Sequence, residues 1–361
     1  MSSLAQPLID WHKIHGRHHL PWQRNADPYA IWLSEIMLQQ TQVSTVIPYY
    51  LRFMQEFPGV DHLAQAPLDS VLALWSGLGY YSRARNLHRT AQILRQDHRS
   101  QFPSKRIDLE KLPGIGRSTA AAIAVFAFGR REAILDGNVK RILARYFGIT
   151  GYPAEKSTQN KLWQLSEQSL PTHADQGRIQ SYTQALMDLG ATVCLRRNPV
   201  CTTCPLHSDC TAHKNNLTHL LPAPKPRKPM PEKEAILLFL VQQQKLLLRK
   251  RPSPGIWGGL WCPPEIAVDT NALTYCQQQF GMRIQSTLKL PAMDHQFTHY
   301  KLRIYPMILH VTTPTTSSDD QQVWLEPSMA IHQGIPAPVK KLLNQNFIVA
   351  DNHAMQMDSH E

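Results

Sequence analysis

Apolar residues follow a helical period through the first part of the chain and a strand period through the second part. Up to about residue 214, they recur every three or four positions, and prolines divide the pattern into short segments. Farther along, the apolar runs 234–241 and 245–249 flank a polar turn at 242–244 and predict a β-hairpin, and 305–311 predicts another strand. The pattern therefore predicts a mostly α N-terminal domain and an α+β C-terminal domain.

Length and local composition divide the chain further. With 361 residues, it is long enough for two domains that each bury a core. Five prolines between residues 221 and 232 predict an extended, semi-rigid linker. We expect a helical domain at 1–214, a linker at 215–232, an α+β domain at 233–349 and a polar tail at 350–361.

The charge balance and the absence of long apolar runs narrow the class of protein. Lysine and arginine outnumber the acidic residues by 38 to 27, which gives a formal net charge of +11. Such an excess favours a polyanionic partner without naming one. No apolar run has the length of a membrane span, and the N-terminus lacks the apolar core of a signal peptide, so we expect a cytoplasmic protein. Cysteines in that compartment serve as metal ligands or buried thiols rather than in disulfides.

The segment 112–116, L-P-G-I-G, predicts a tight turn between two helices. From Arg117 an alanine-rich apolar run predicts a buried helix. The backbone amides of Gly114 and Gly116 lie at the start of that helix, where they are suited to binding a phosphate. Asp136 follows 20 residues after Gly116 and precedes a basic helix. An ordinary helical hairpin with an N-capping aspartate explains the same pattern equally well.

Glu35 is an acidic residue in an otherwise apolar helical stretch. Asp27 and Pro28 predict the start of this helix, with the aspartate as N-cap and the proline at the first helical position. A carboxylate among core-facing residues is unusual and is a candidate for acid–base chemistry. The alternative is a solvent-facing position beside Ser34, or an ion pair with an arginine.

Two polar segments are candidates for contact with nucleic acid. The glutamine cluster at 39–42 could fill the gap left by an unpaired base, although such clusters are usually solvated turns. The segment 75–86 combines two glycines, two tyrosines and two arginines, which favours stacking on DNA bases and contact with phosphate. A glycine-rich loop with a tyrosine packed on the core is the alternative.

Four cysteines have the spacing of a single tetrahedral thiolate site. They follow the pattern C-x6-C-x2-C-x5-C and comprise Cys194, Cys201, Cys204 and Cys210. Zinc and a [4Fe-4S] cluster both accept four thiolates, and the spacing does not choose between them. Cys262 and Cys276 lack such spacing and are expected to be buried thiols.

Taken together, these motifs resemble one family of proteins. The resemblance rests on Glu35 within W-L-S-E-I-M-L-Q-Q-T-Q, the L-P-G-I-G turn, the D-G-N-V-K-R run and the four-cysteine loop. They resemble the helix-hairpin-helix glycosylase superfamily and, within it, the MutY type of adenine-DNA glycosylase, over nearly the whole chain. The C-terminal domain resembles the MutT-like (Nudix-type) domain of that family.

The resemblance implies a reaction and a cofactor. It implies a monomeric DNA repair enzyme, associated with the nucleoid if bacterial, that hydrolyses the N-glycosidic bond of adenine mispaired with 8-oxoguanine or guanine in double-stranded DNA. It also implies one [4Fe-4S] cluster on the cysteine loop at 194–210. Glu35 would protonate the leaving adenine, Asp136 would stabilise the oxocarbenium-like sugar, and Asn138 would hold water near Asp136. The adenine must first leave the base stack to reach them.

The resemblance also assigns binding roles. The adenine pocket would contain Trp22, Gln184 and Asp188. The residues that invade the helix would be Gln40 and Tyr80. DNA phosphate would be contacted by Gly114, Gly116 and Arg117. The motif that reads 8-oxoguanine would be Phe297, Thr298 and His299, with threonine in place of the family's serine.

Two departures from related enzymes limit the expected activity. Ser118 occupies the position of the nucleophilic lysine of the endonuclease III-like relatives, and a hydroxyl cannot form a Schiff base, so strong lyase activity is not expected. The segment 275–281 lacks the acidic metal box of Nudix hydrolases, so a Mg²⁺-dependent pyrophosphatase is not expected. Two other functions remain open: a bifunctional glycosylase/lyase, which Ser118 disfavours, and a non-catalytic mismatch reader, which the presence of both Glu35 and Asp136 disfavours.

Overall fold

The computed structural model describes residues 4–24, 26–172, 176–226, 229–253, 255–312 and 320–348. The polar tail expected at 350–361 lies outside them. The described helices, in chain order, are α1 Ala5–His15, α2 Pro28–Leu38, α3 Val43–Glu56, α4 Val60–Gln65, α5 Leu68–Trp75, α6 Ser82–Asp97, α7 Arg106–Leu109, α8 Arg117–Phe128, α9 Gly137–Tyr146, α10 Lys156–Gln168, α11 Gln176–Thr192, α12 Thr211–Lys214, α13 Ala272–Phe280, α14 Pro327–Ala330 and α15 Ala337–Leu343. Short 3₁₀ turns lie at Pro21–Gln23, Cys201–Thr203 and His207–Asp209, and a π-helical turn at Asn344–Ile348. None of the helices in this described part of the chain combines the length and apolar character needed to cross a bilayer.

The described strands form one mixed sheet. They are β1 Glu232–Gln242, β2 Lys245–Lys250, β3 Trp261–Cys262, β4 Glu265–Ile266, β5 Arg283–Lys289, β6 Met293–Gln296, β7 Lys301–Thr312 and β8 Gln322–Leu325. The central path runs β3-β2-β1-β7-β5, with β1 and β7 parallel and the other pairs antiparallel. The predicted hairpin is confirmed, because Gln242 pairs with Lys245 across the turn.

Two compact bodies divide the chain, and their boundaries differ from those expected from the sequence. The first comprises 1–65 and 86–227, and the second comprises 66–85 and 228–361. Residues 66–85 were expected in the helical domain, but their contacts place them with the sheet. Asp69 pairs with Lys250 at 2.6 Å, and a Cβ on Gly334 would lie 3.0 Å from the Cβ of Leu72. These contacts join residues far apart in sequence, so local patterning does not reveal them.

The first body is helical, as predicted, and its core contains the alanine-rich helix. Residues 120–125 of α8 are all buried, and α8 packs against α2. Helix α11 packs against α1 and α9. Small side chains on α8 permit this close packing. Farther along, Leu221 is buried, and its carbonyl accepts a hydrogen bond from Arg145 Nε at 2.8 Å, so the chain packs on the first body beyond residue 214.

The turn at 112–116 joins α7 to α8. Gly114 has a φ of +77°, and a Cβ there would lie 2.8 Å from the Cβ of Asn86. A glycine is therefore required at this position for both conformation and space. The neighbouring carbonyl of Pro113 accepts a hydrogen bond from Thr90 Oγ1 at 3.0 Å, which fixes the turn against α6.

Candidate active site

A cavity of about 1200 Å³ lies in the first body. Its walls come from the segment after α1, from α2 and the turn that follows it, and from α8, α9 and α11. The structure brings together at this cavity six of the residues to which the resemblance gave individual roles or positions, namely Trp22, Glu35, Ser118, Asp136, Asn138 and Gln184. These six residues come from distant parts of the chain, yet they line the same space.

Helix α2 places Glu35 at the cavity. Asp27 caps the helix, as predicted, by accepting hydrogen bonds from the backbone N–H groups of Tyr29 and Ala30. The neighbours Ile36 and Met37 are buried, whereas Glu35 is partly exposed and lines the cavity. Burial raises the pKa of Glu35 to about 8, and the charge of Asp136 adds to the rise. Glu35 is therefore a protonated carboxylic acid at neutral pH.

Asp136 is the N-cap of α9 and faces the same cavity. Its Oδ1 accepts a hydrogen bond from the N–H of Val139 at 2.7 Å. Burial raises the pKa of Asp136 above its ordinary value, while the backbone N–H groups of Val139 and Asn138 and the charges of Arg141 and Lys140 oppose the rise. The predicted N-cap is thus present, and its carboxylate also borders the cavity. The two carboxyl groups share one space but differ in their hydrogen bonds.

Asn138 and Ser118 flank Asp136. The Oδ1 of Asn138 accepts a hydrogen bond from Arg141 at 2.8 Å, so its amide nitrogen is the end that can donate to a group in the cavity. A Cβ on Gly190 would lie 2.4 Å from the Cβ of Asn138, which explains a glycine on α11 at this point. Ser118 Oγ accepts a hydrogen bond from the N–H of Leu135 at 2.9 Å.

Asp188 does not line the cavity, in contrast to the expectation from sequence. It is fully buried and accepts hydrogen bonds from the backbone N–H of Arg17 at 2.8 Å, from Arg17 Nε at 2.7 Å and from Gln184 Nε2 at 2.9 Å. Burial acts to raise the pKa of Asp188, but the contacts from His12 and Arg17 outweigh it and lower the pKa. Asp188 therefore holds residues that do line the cavity, namely Arg17, His12 and Gln184.

Trp22 forms part of the cavity wall. Its ring packs edge-on against Tyr50, with 5.3 Å between centroids, and the side chain is largely buried. The cavity is also lined by Gln39 and Gln42 of the glutamine cluster singled out in the sequence, and by four polar residues that sequence reasoning missed, namely His12, Arg17, His18 and Gln180. The G-R-H-H segment just before Leu20-Pro21-Trp22 was a local signal for Arg17 and His18, whereas no local pattern indicated Gln180, which lies on the distant helix α11.

The residues predicted to contact phosphate differ in how available they are to bind it. Gly116 is the N-cap residue of α8, and no side chain caps this helix end. A Cβ on Gly116 would have no atom within 4 Å, so the backbone here is open to an approaching group. Arg117 instead pairs with Glu167 and lies over the ring of Trp163 at 3.9 Å, so part of its charge is already neutralised.

Gln40 and Tyr80 are both exposed, and both adopt a left-handed backbone conformation. Gln40 has a φ of +59° in the turn after α2, within the first body. Tyr80 has a φ of +49° and is 43% exposed, within the second body. Exposed side chains in this strained conformation are common at binding sites.

Phe297, Thr298 and His299 form the turn between β6 and β7. The ring of Phe297 stacks on Tyr300 with 4.6 Å between centroids and meets His295 edge-on at 4.6 Å. The N–H of Phe297 donates to the carbonyl of Tyr300 at 2.9 Å, which closes the turn. Thr298 and His299 are exposed. The turn therefore presents two polar side chains beside a ring that is already held in place.

The four cysteines of the predicted thiolate site line one small cavity of about 30 Å³ in the first body. Arg145, itself buried, borders this cavity and donates to Cys194 Sγ at 3.3 Å. Among the described residues, no three His, Cys, Asp or Glu side chains are already arranged to hold a metal ion. Four thiols beside a buried guanidinium nevertheless have the donor set of a thiolate-ligated group. Cys262 and Cys276 are buried, as predicted.

Comparison with known proteins places this chain in a family. Residues 33–168 match the family described as HhH-GPD superfamily base excision DNA repair protein, and residues 235–345 match the NUDIX domain. The chain is 37% identical to the adenine DNA glycosylase of Buchnera aphidicola subsp. Schizaphis graminum over 341 residues, which are 94% of this chain and 97% of that protein. It is 33% identical to the human adenine DNA glycosylase over 399 residues, covering 93% of this chain and 72% of that protein. A solved thermostable thymine-DNA glycosylase is 27% identical, has a TM-score of 0.53, and covers 58% of this chain and 95% of its own.

Proposed function

The chain belongs to the adenine DNA glycosylases of the HhH-GPD superfamily, and we propose that it removes adenine from double-stranded DNA where adenine is mispaired with 8-oxoguanine or guanine. The observation that carries the proposal is the presence of Glu35 and Asp136 on one cavity. A cavity of about 1200 Å³ has room for a base turned out of the duplex.

Glu35 is the general acid in this proposal. Neutral adenine is a poor leaving group, so the base must gain a proton as the N-glycosidic bond breaks. A carboxyl group with a pKa of about 8 carries that proton at neutral pH. Its partly exposed position on the cavity wall supports direct contact with the base.

Asp136 supplies negative charge to the sugar. The sugar becomes oxocarbenium-like as adenine departs, and a carboxylate beside it lowers the barrier. The N–H groups of Val139 and Asn138 favour the ionised form of Asp136. The amide nitrogen of Asn138 can hold the attacking water near this carboxylate. As the bond to adenine breaks, the water's oxygen bonds to the sugar carbon and the water transfers a proton to the Asp136 carboxylate.

Ser118 supports hydrolysis without strand cleavage. Its hydroxyl accepts a hydrogen bond from Leu135, and it cannot form the Schiff base on which a lyase depends. A bifunctional glycosylase/lyase is therefore disfavoured. A non-catalytic mismatch reader is disfavoured because it has no use for an acid on the cavity wall whose ionisation is so unfavourable.

The mispaired partner of adenine would be read by the second body. We assign this role to the turn of Phe297, Thr298 and His299, since Thr298 and His299 are exposed and Phe297 is held by Tyr300 and His295. A held aromatic ring can stack on a base, and the hydroxyl and imidazole can bond to its polar edge.

Cys194, Cys201, Cys204 and Cys210 would hold one [4Fe-4S] cluster. Their shared cavity and free thiols support this assignment, which also agrees with the family. When bound, the cluster would crosslink the loop at 194–210 and so stabilise a short segment that has little core of its own.

A single-turnover assay on a duplex with adenine opposite 8-oxoguanine tests the proposal. Each sample is divided, and one half is heated in alkali to cleave abasic sites. We expect cleavage only after alkali, since excision leaves an abasic site on an intact strand. Direct cleavage would identify a lyase, and intact DNA in both halves would identify a reader. A fully paired adenine–thymine duplex is the matched control and should remain intact.

A further inference from the structure

The turn between α5 and α6, residues 76–81, carries Tyr80. Four of its six residues are buried or partly buried, and the two exposed ones are Gly77 and Tyr80. Because the rest of the turn is packed, we infer that the exposed Tyr80 side chain extends from a well-ordered turn and not from a mobile loop. What holds the turn therefore determines where Tyr80 is presented.

One side of the turn is held by its flanking helices. Trp75, at the end of α5, donates through Nε1 to the carbonyl of Gly79 at 3.0 Å. Arg83, at the start of α6, donates to the carbonyls of Leu78 and Gly79 at 3.2 Å each. The guanidinium of Arg83 also lies 5.4 Å from the centre of the Tyr80 ring.

The other side of the turn is held by a carbonyl some 250 residues away in sequence. Ser76 Oγ donates to the carbonyl oxygen of Ile335 at 3.1 Å, and Tyr81 Oη donates to the same oxygen at 3.2 Å. The Tyr81 hydroxyl also accepts from the N–H of Gly77 at 3.4 Å. Ser76, Tyr81 and Ile335 are buried, so the two hydrogen bonds to the Ile335 carbonyl are shielded from water.

Two further contacts extend this attachment. Arg85 donates to the carbonyl of Gly258 at 2.6 Å, next to Trp257, whose ring lies 5.4 Å from that of Phe297. A Cβ on Gly334 would lie 3.0 Å from the Cβ of Leu72 on α5, so the two segments are in close contact. The same part of the chain that carries the candidate lesion-reading turn therefore also anchors the Tyr80 turn.

We propose that the C-terminal segment around Gly334 and Ile335 positions Tyr80 for insertion into DNA, with Ser76 and Tyr81 as the positioning residues. The proposal rests on the proposed function, because insertion presupposes a mispaired duplex. It assigns the C-terminal domain a second task besides reading the lesion: it holds the residue that enters the base stack. A turn freed from Ile335 would be held on one side only, by Trp75 and Arg83, so Tyr80 would be less fixed and its insertion would cost more ordering entropy.

Insertion can be measured directly with a fluorescent base. The probe is a duplex that contains 2-aminopurine next to 8-oxoguanine, opposite a 2′-fluoro-2′-deoxyadenosine that resists hydrolysis. Unstacking of 2-aminopurine raises its fluorescence, so the signal reports entry of Tyr80 into the stack. We expect the full chain to raise the fluorescence and Tyr80→Ala to lose most of the rise.

The double variant Ser76→Ala with Tyr81→Phe removes both donors to Ile335 and keeps the aromatic ring of Tyr81. We expect it to lose much of the fluorescence rise and to bind the probe about 5- to 10-fold more weakly. In combination with Tyr80→Ala, it should weaken binding little further, because both changes abolish the same insertion. Gly334→Ala, which perturbs the contact from the C-terminal side, should also reduce the rise.

Tyr305→Phe is the matched control. Tyr305 donates to Glu234 at 2.7 Å on the exposed face of the sheet, so this variant also loses one tyrosine hydrogen bond from the second body. It should leave the fluorescence rise unchanged. Thermal unfolding of each variant shows whether the fold is kept, and Gly334→Ala provides an independent test if the double variant unfolds.

A full fluorescence rise in the folded double variant, or additive effects with Tyr80→Ala, overturns the proposal. An unchanged rise in Tyr80→Ala also overturns it, because Tyr80 then does not enter the stack. Excision of adenine by the wild-type chain in the alkali assay distinguishes these outcomes from failure of the proposed function, since that assay does not depend on how Tyr80 is held.

Discussion

Replacement of Glu35 by Gln should make the protein more stable while it abolishes excision. Gln keeps the size and shape of the side chain but is neutral at every pH. The folded state raises the pKa of Glu35 from 4.5 to about 8, so folding disfavours the ionised carboxylate. The wild-type protein therefore loses stability as the pH rises from the unfolded pKa through the folded one, and the variant does not.

The size of the effect follows from the two pKa values. Between pH 4.5 and pH 7 the unfolded chain ionises while folded Glu35 remains mostly protonated, which costs about 3 kcal/mol at 1.36 kcal/mol per pH unit. At pH 5 the same calculation gives a cost below about 1 kcal/mol. For a domain of this size, we expect Glu35→Gln to raise the Tm by about 6–12 °C at pH 7 and by much less at pH 5.

Calorimetric unfolding of wild type and variant at pH 5, 6, 7 and 8 provides the measurement. Glu56→Gln is the matched control, since Glu56 is an exposed carboxylate at the end of α3 and its removal should shift the Tm little at any pH. In the single-turnover assay, Glu35→Gln should lose about two to four orders of magnitude in rate. The wild-type rate should fall about tenfold per pH unit above about pH 8, as the acid loses its proton. An equal Tm difference at pH 5 and pH 8 would refute the raised pKa, and excision within tenfold of wild type would remove Glu35 from the mechanism.

Three other changes test the remaining assignments. Asp136→Asn should lower the single-turnover rate about 10²- to 10³-fold through lost charge stabilisation, and a smaller loss than tenfold contradicts that role. Phe297→Ala with His299→Ala should reduce the preference for 8-oxoguanine over guanine opposite adenine, by up to the about 1–3 kcal/mol that stacking on a base contributes, whereas equal discrimination places lesion reading elsewhere. The purified protein should be brown with broad visible absorption, while a colourless, zinc-loaded preparation excludes the iron–sulfur assignment. Cys201→Ser should weaken DNA binding more than it slows excision of bound substrate.

Features set by neighbouring residues were predictable from the sequence. Asp27 followed by Pro28 marks the start of α2, and Asp136 before Gly137 marks the start of α9, because a cap acts within one helical turn. The hairpin of β1 and β2 was predictable for the same reason, since only a short turn separates the paired residues Gln242 and Lys245.

Features set by distant residues were not predictable in this way. Asp188 accepts two hydrogen bonds from Arg17, which is 171 residues away, and so it lies behind the cavity rather than in its wall. Residues 66–85 pack with the sheet because Gly334 and Ile335 meet α5 and the turn after it. In both cases, the decisive partner lies on another element, and no local period or spacing encodes the pairing.

The division of labour between the two carboxyl groups follows from their places in secondary structure. Glu35 lies inside α2, where the neighbouring backbone N–H groups are already bonded within the helix, so nothing offsets the cost of burying its charge. Asp136 lies at the N-cap of α9, where N–H groups without helical partners bond to its carboxylate and oppose the effect of burial. The helix interior thus leaves the burial of Glu35 unopposed, whereas the helix end partly offsets the burial of Asp136. When the two residue types are exchanged, we therefore expect the backbone N–H groups at the start of α9 still to oppose the rise in pKa at position 136, and no such donors to oppose it at position 35, because the backbone surroundings stay the same.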